Sequence, residues 1–336
     1  MPKTSHEGCG RSHPPGRRGR GREHLRIDRV ALRGLIVSAV LLAAASCSPW
    51  RIAPAPYGDE IKPARALESL QRRLEAADAD SVNLLLTDIG RIDYPGFSSV
   101  FWRVVYRPFE PGLKRVLIMA GARGNEAGGV ECALGVIEAL RAAPAPGSLF
   151  SADILPVVNA WGWVHDMGRN REKVDIEQDF GSFLSREARI VRRFLRGKRY
   201  DLVIDLREDE AAAGFSIRPF APETTAAAER IVAEIRSRGY PIETRTGGFW
   251  HTPRDGVFTA PGWRLALAEW VGELSLPGYA RRQVSPAVYA VVAPMALPPS
   301  DRVAMLRAAL ESLIAEHAGA AEPPASSAPH SRGGEP

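Results

Sequence analysis

The chain has 336 residues, 45% of them hydrophobic and 25% charged, which suits one large or two ordinary globular domains. Its formal net charge is +5, but residues 1–46 hold nine basic and three acidic side chains. The remaining 35 basic and 36 acidic residues leave a net charge of −1, which excludes the basic surface expected of a nucleic-acid-binding protein.

The first 63 residues predict export. Residues 1–29 are a basic low-complexity leader, and one hypothesis is that translation starts near Val30. Residues 30–46 have the basic start, the short apolar stretch and the small residues of a signal peptide. The residues before Cys47 resemble a bacterial lipobox, so we expect Cys47 to be lipidated; an ordinary signal peptide or an uncleaved anchor is the alternative. With a proline-rich tether at 47–63, this predicts a membrane-anchored lipoprotein of the bacterial cell envelope.

Helical and strand patterns alternate through residues 64–317, which we predict to be one domain. In chain order they predict a helix at 64–79, strands at 100–107 and 115–120, a helix from 127, a strand at 152–160, a helix at 183–196, a strand at 201–206, a helix at 222–238, strands at 241–245 and 264–269, and a helix at 301–317. The expected fold is α/β: a single-domain three-layer sandwich with a mixed, mostly parallel sheet and helices on both faces. Residues 318–336 are low in apolar content and predicted to be disordered.

Polar stretches follow several predicted strands, where the functional groups of α/β proteins usually lie. They are 121-GARGNEAGG-129, 154-ILPVVNAWGW-163, 174-VDIEQDF-180 and 201-DLVIDLRED-209. In this order they resemble four motifs of the zinc carboxypeptidase family: its G-x-H-G-x-E turn, its strand ending in Asn-Pro-x-Gly, its V-D-L-N-R-D-F segment and its strand ending in D-L-H-E-D. A weaker fifth match is 265-LALAEWVGEL-274. The resemblance covers roughly residues 85–290 and implies the carboxypeptidase fold.

The positions that match the family's metal ligands depart from its pattern. Where the family has His, Glu and His, this chain has Arg123, Glu126 and Arg207. A zinc ligand must present a lone pair, and the guanidinium group offers none because it stays protonated. Glu126 is the only family ligand retained. Glu269 matches the family's general base, which in the family acts on a zinc-bound water. We therefore expect no cofactor.

The substrate side of the resemblance is also altered. The family's Asn-Arg pair, which grips the terminal carboxylate of a peptide, is matched here by Glu177 and Gln178. A carboxylate next to Glu177 would be repelled. Asn159 is a further binding candidate at the end of a strand, and a role in the turn itself is its alternative.

The resemblance places Arg123, Glu126, Arg207 and Glu269 in one cleft. Two arginines supply the same charge as Zn²⁺, and unpaired carboxylates in a partly buried site would cost several kcal/mol. The expectation is a salt-bridged cluster in which the arginines replace the metal. Further candidates for this cluster are Glu177, Glu208 and Asp209.

The main hypothesis is a non-catalytic, carboxypeptidase-like lipoprotein, a pseudoenzyme that binds a peptide, a peptidoglycan fragment or a partner protein at the cell envelope. The alternative is an active metallocarboxypeptidase or amidase, or a desuccinylase-like acylase, in which zinc has unorthodox ligands. Candidates for those ligands are Glu126, Asp205, Glu208 and either His165 or His251. A third hypothesis is a purely structural envelope component.

Overall fold

The structure of the protein is a computed structural model. It describes residues 55–58, 61–79, 81–108, 113–142, 150–245, 252–259 and 262–318. All of these belong to one compact unit, Ile52–Pro336. The predicted leader, signal peptide and Cys47, together with most of the tether and all but the first residue of the predicted tail, lie outside the described residues. None of the described helices is both long enough and apolar enough to cross a membrane.

The described chain forms one nine-stranded sheet. The strands are β1 (Leu84–Tyr94), β2 (Phe97–Tyr106), β3 (Lys114–Ala120), β4 (Phe150–Leu155), β5 (Leu202–Asp209), β6 (Ser216–Pro219), β7 (Thr252–Arg254), β8 (Val257–Thr259) and β9 (Val288–Pro294). Their order across the sheet is β1-β2-β4-β3-β5-β9-β6-β8-β7. The four central strands, β4, β3, β5 and β9, run parallel to one another, and the antiparallel pairings lie toward the two sides. The predicted mixed, mostly parallel sheet is confirmed.

Helices cover both faces of this sheet. They are α1 (Leu67–Asp78), α2 (Ala127–Ala142), α3 (Ala160–His165), α4 (Arg186–Leu195), α5 (Thr225–Ser237), α6 (Gly262–Trp270), α7 (Leu276–Gln283) and α8 (Pro299–Ala318). One hydrophobic core lies between the sheet and α1, α2, α5 and α8. A second core lies between the opposite face and α4 and α7. The predicted three-layer sandwich is therefore confirmed.

Strand β3 shows why the sheet lies in the middle layer. Its residues Val116 to Ala120 are at most 1% exposed. Successive side chains of a strand point to opposite faces, so Ile118 packs into the first core and Leu117 and Met119 into the second. A strand buried on both faces has a continuous apolar run, which is the pattern visible in the sequence.

Two of the predicted strands are wrong. Residues 264–269 belong to helix α6, and 241–245 contribute only an isolated bridge between Ile242 and Phe215. The predicted strand at 152–160 ends at Leu155. Strands β1, β6, β7, β8 and β9 were not predicted, although the apolar run of β9 is typical of a buried strand.

Candidate functional site

The candidate site lies at the carboxyl ends of β3 and β5. These strands are parallel neighbours, with Ala120 paired to Leu206, so the turn after β3 and the last residues of β5 meet at one edge of the sheet. Glycines permit the close approach of the elements there. A Cβ atom on Gly124 would collide with the backbone of α3, and one on Gly128 would collide with the carboxylate of Glu208.

Arg207 is the centre of the site. Its Nε and Nη2 atoms donate to the two carboxylate oxygens of Glu126 at 2.7 and 2.8 Å. Its Nη1 and Nη2 atoms contact the two oxygens of Glu177 at 2.5 and 2.9 Å. All three residues are at most 5% exposed. One buried guanidinium is thus held by two charge-assisted hydrogen bonds to Glu126 and by one hydrogen bond and one further ionic contact to Glu177.

Arg123 extends this arrangement toward the surface. Its Nη2 atom lies 2.8 Å from Asp175 Oδ2 and 3.0 Å from Glu177 Oε2. Glu177 therefore bridges two arginines. The side chain of Arg123 is 38% exposed, so it forms the outer cation of the cluster.

Two buried carboxylates of the site have opposite pKa shifts. Burial alone would raise the pKa of Glu177, but Arg207, Arg123 and Arg218 outweigh it and hold the pKa well below its usual range. Burial raises the pKa of Asp205 to about 7, although Arg207 acts in the other direction. Asp205 Oδ2 lies 3.5 Å from Arg207 Nη1, and among the described residues neither oxygen of Asp205 has a hydrogen-bond partner. Arg207 therefore stabilises the charged form of Glu177 strongly and that of Asp205 much less.

A second ion pair supports the end of β5. Glu208 accepts hydrogen bonds from Arg302 Nη1 on α8 and from the backbone N–H of Gly128, both at 2.8 Å. The backbone N–H of Glu208 donates to Glu126 Oε2 at 3.2 Å. Asp209 lies 3.5 Å from Arg218 Nη2 on β6. Sequence reasoning missed Arg302 and Arg218, because no motif marks either residue.

Three of the predicted site residues have other surroundings. The Asn159 side chain is buried and accepts a hydrogen bond from Gly162 N at 2.9 Å, so it caps the start of α3. Gln178 ends a short 3-10 turn, Ile176–Gln178, and is half-buried. Glu269 lies on helix α6 instead of a strand and pairs with Arg282 at 2.6 Å, so the expectation that it joins the arginine cluster is wrong.

The residues at this edge do not fit a zinc ion. The arginine group fills the space between Glu126 and Glu177 and takes up the lone pairs that a metal would need. His165 stacks on Trp161 with ring centroids 4.4 Å apart, and its Nδ1 lies 2.8 Å from the carbonyl oxygen of that residue. His251 lies outside the described residues. Within the described ranges, no group of three or more His, Cys, Asp or Glu side chains could hold a metal ion.

Comparisons with known proteins concern the fold. No protein-family model and no curated protein matches the sequence. Among solved structures, a Shewanella denitrificans protein provisionally classed as a metallopeptidase matches with a TM-score of 0.62 at 18% identity, over 75% of this chain and 90% of that one. Carboxypeptidase A from Helicoverpa armigera matches with a TM-score of 0.57 at 14% identity, over 85% and 80%. A metallo-carboxypeptidase from Burkholderia cenocepacia matches with a TM-score of 0.55 at 14% identity, over 77% and 69%. The chain therefore has the fold of the metallo-carboxypeptidases.

Proposed function

We propose that the protein is a non-catalytic carboxypeptidase-fold lipoprotein that binds a peptide, a peptidoglycan fragment or a partner protein at the cell envelope. The observation that carries this proposal is the position of Arg207, which is buried and bonded to both Glu126 and Glu177. A carboxylate in a paired bond to a guanidinium is not available to a metal, and hydrolysis in the fold's metallopeptidases relies on a metal-bound water.

The charge of the cluster supports a site without a metal. The resemblance assigns Arg123 and Arg207 to the two histidine positions of the zinc site. Together they supply two permanent positive charges next to Glu126, Glu177 and Asp175. Buried carboxylates need positive charge nearby to compensate their own. Because the two arginines already supply it, a divalent cation is not needed to stabilise these carboxylates.

Arg123 is the group that best suits ligand binding. It is the half-exposed cation of the cluster, and its contacts to Asp175 and Glu177 use Nη2 and, at 3.5 Å, Nε. The remaining N–H groups of its Nη1 atom can donate to a carboxylate or carbonyl oxygen of a ligand. Glu177 at the centre of the site would repel a terminal carboxylate placed where the family holds it, so we propose that Arg123 sets the binding position.

Metal analysis tests the proposal. The full chain with Cys47→Ala, purified without added metal, is expected to contain far less than one zinc per chain. Arg123→His with Arg207→His is expected to bind zinc, and Arg72→His with Arg238→His is the matched control because both arginines are exposed and distant in sequence from the cluster. Stoichiometric zinc in the parent chain that is lost in Glu126→Ala would contradict the proposal and favour the active metallohydrolase.

A binding measurement tests the proposed ligand-binding role. A solubilised peptidoglycan digest is expected to bind the same full chain, and Arg123→Gln is expected to weaken this binding while the matched Arg72→Gln does not. If neither the digest nor unrelated peptides bind the parent chain, the binding role is wrong and a structural role takes its place. Localisation is tested by labelling with a radioactive fatty acid, which we expect to depend on Cys47.

A further inference from the structure

A second polar site lies at the opposite end of the sheet, where β3 and β5 begin. Arg107, Arg115, Ser151, Asp153 and Tyr200 line a shallow recess there. None of these residues belongs to the cluster around Arg207. The recess differs from that cluster in having more cations than its carboxylates can compensate.

Asp153 is already fully engaged. It is buried, and it accepts hydrogen bonds from Arg103 Nε at 3.0 Å and Arg103 Nη2 at 2.5 Å. The Tyr200 hydroxyl donates a short hydrogen bond to its other oxygen, and Lys198 Nζ lies 3.9 Å from that oxygen. The charge of Asp153 is therefore already compensated by the guanidinium of Arg103, with Lys198 close by.

Arg107 and Arg115 are the surplus cations. Both are exposed, and the guanidinium of Arg115 lies over the ring of Tyr200 at 5.1 Å. Among the described residues no carboxylate pairs with either guanidinium; Asp201 accepts the backbone N–H of Arg115 at 2.8 Å and pairs with Lys114 Nζ at 3.6 Å. Glu110 lies outside the described residues.

The pKa of Lys198 also indicates an excess of positive charge around the recess. This pKa is lowered to about 8, first by burial and then by the nearby Arg103, Arg115 and Arg107, while Asp153 acts in the opposite direction. An anion bound in the recess would face several cationic donors whose charges are close together.

A groove next to the recess is lined on its apolar side by Val82, Leu84, Leu85 and Val105 and on its polar side by Asn83, Thr87, Arg103 and Arg107. Its volume is about 240 Å³, and Arg107 lines both features. Leu85 pairs with Val105, and Val105 pairs with Asp153 on β4, so these side chains share one face of the sheet. Leu85 is 55% exposed, and Val82 at the mouth of the groove is 76% exposed.

We propose that this groove and recess bind a phosphate-bearing amphiphile with an acyl chain, such as a phospholipid. The phosphate lies between Arg107 and Arg115, which line the recess, and the acyl chain lies along Leu85 and Val105, which line the groove. Guanidinium groups suit the geometry and charge of phosphate oxygens. An extended peptide added to the free edge of β1 would bond to the strand's backbone and leave the groove on the sheet face unfilled, so the lipid is the better occupant.

Calorimetry with monomeric dodecyl phosphate tests the proposal on the full chain with Cys47→Ala. Arg107→Gln with Arg115→Gln is expected to weaken binding by about tenfold or more, because two charge-assisted contacts are lost. Leu85→Gln is expected to weaken the binding of dodecyl phosphate. Arg72→Gln with Arg238→Gln makes the same charge change elsewhere and is expected to leave binding unchanged.

Inorganic phosphate and vesicles separate the sources of the anion. If inorganic phosphate binds as tightly as dodecyl phosphate, the ligand is a free phosphate and the amphiphile is wrong. If phosphatidylglycerol vesicles bind and dodecyl phosphate does not, the contact is a surface attraction and the groove is not a site. Equal binding of dodecyl phosphate to the parent chain and the Arg107/Arg115 variant also overturns the proposal. These residues are separate from Arg207 and Glu126, so failure here leaves the proposed function untouched.

Discussion

The two ends of the central sheet use arginine in opposite ways. Near the carboxyl end of β5, Arg207 is buried and paired with both Glu126 and Glu177. At the amino end of β3, Arg107 and Arg115 are exposed beside a carboxylate that other groups already occupy. The number of available carboxylates decides the difference, since the guanidinium group itself is the same at both ends.

This difference separates a structural charge from a binding charge. A buried guanidinium with two carboxylates is satisfied within the protein, and a ligand would have to break those bonds. An exposed guanidinium without a carboxylate loses little hydration and gains a partner when an anion binds. Substitutions in the carboxyl-end cluster are thus expected to change the stability of the protein, and substitutions in the amino-end recess are expected to change ligand binding.

The largest expected effect is the loss of Arg207. Arg207→Met leaves Glu126 buried without its cation and Glu177 with Arg123 alone, so the free energy of unfolding should fall by about 3–5 kcal/mol, measured by urea denaturation. Arg123→Gln is the matched control, because its half-exposed pairs should contribute about 1 kcal/mol or less.

A paired change keeps this test informative if Arg207→Met does not fold. Adding Glu126→Gln removes one of the stranded charges and should recover part of the lost stability. If the Arg207→Met variant is as stable as Arg123→Gln, the claim that Arg207 has a structural role is wrong.

Asp205 gives an intermediate effect through pH. Its folded-state pKa of about 7 lies above the ordinary value of 3.8, so the folded chain holds this proton more tightly than the unfolded chain. The stability that Asp205 contributes is full below about pH 4 and is lost as the pH rises to about 7. Asp205→Asn removes this loss. The free energy of unfolding of the variant should therefore exceed that of the parent chain by on the order of 2 kcal/mol at the upper end of that pH window. Urea denaturation at several pH values measures it, and parallel stability profiles would contradict the assignment.

The smallest expected effect concerns the recess. Arg107→Gln removes one of the cations that lower the pKa of Lys198, so this pKa should rise toward its ordinary value while the free energy of unfolding changes by about 0.5 kcal/mol or less. NMR titration of the Lys198 side chain measures the shift, and Arg72→Gln serves as control. If both variants leave the Lys198 pKa unchanged, the recess does not hold an excess of positive charge.

Much of the architecture could be predicted from local patterns. The continuous apolar runs of β3 and β5 and the helical spacing after residue 127 are local signals, and the structure contains those elements. Residues 264–269 were predicted wrongly because the resemblance favoured a strand there, while the structure has helix α6 with no buried residues. A helix that buries no side chain leaves little one-sided pattern to detect.

The sequence by itself determined that Arg123 and Glu126 follow one buried strand and that Arg207 lies at the end of another, because apolar runs and a glycine-rich turn are local signals. Only the tertiary structure decided that Glu177 bridges both arginines, that Arg302 holds Glu208, and that Glu269 pairs with Arg282 instead. An ion pair depends on distances of a few ångströms between segments far apart in the chain, and packing of the whole sheet and its helices sets those distances.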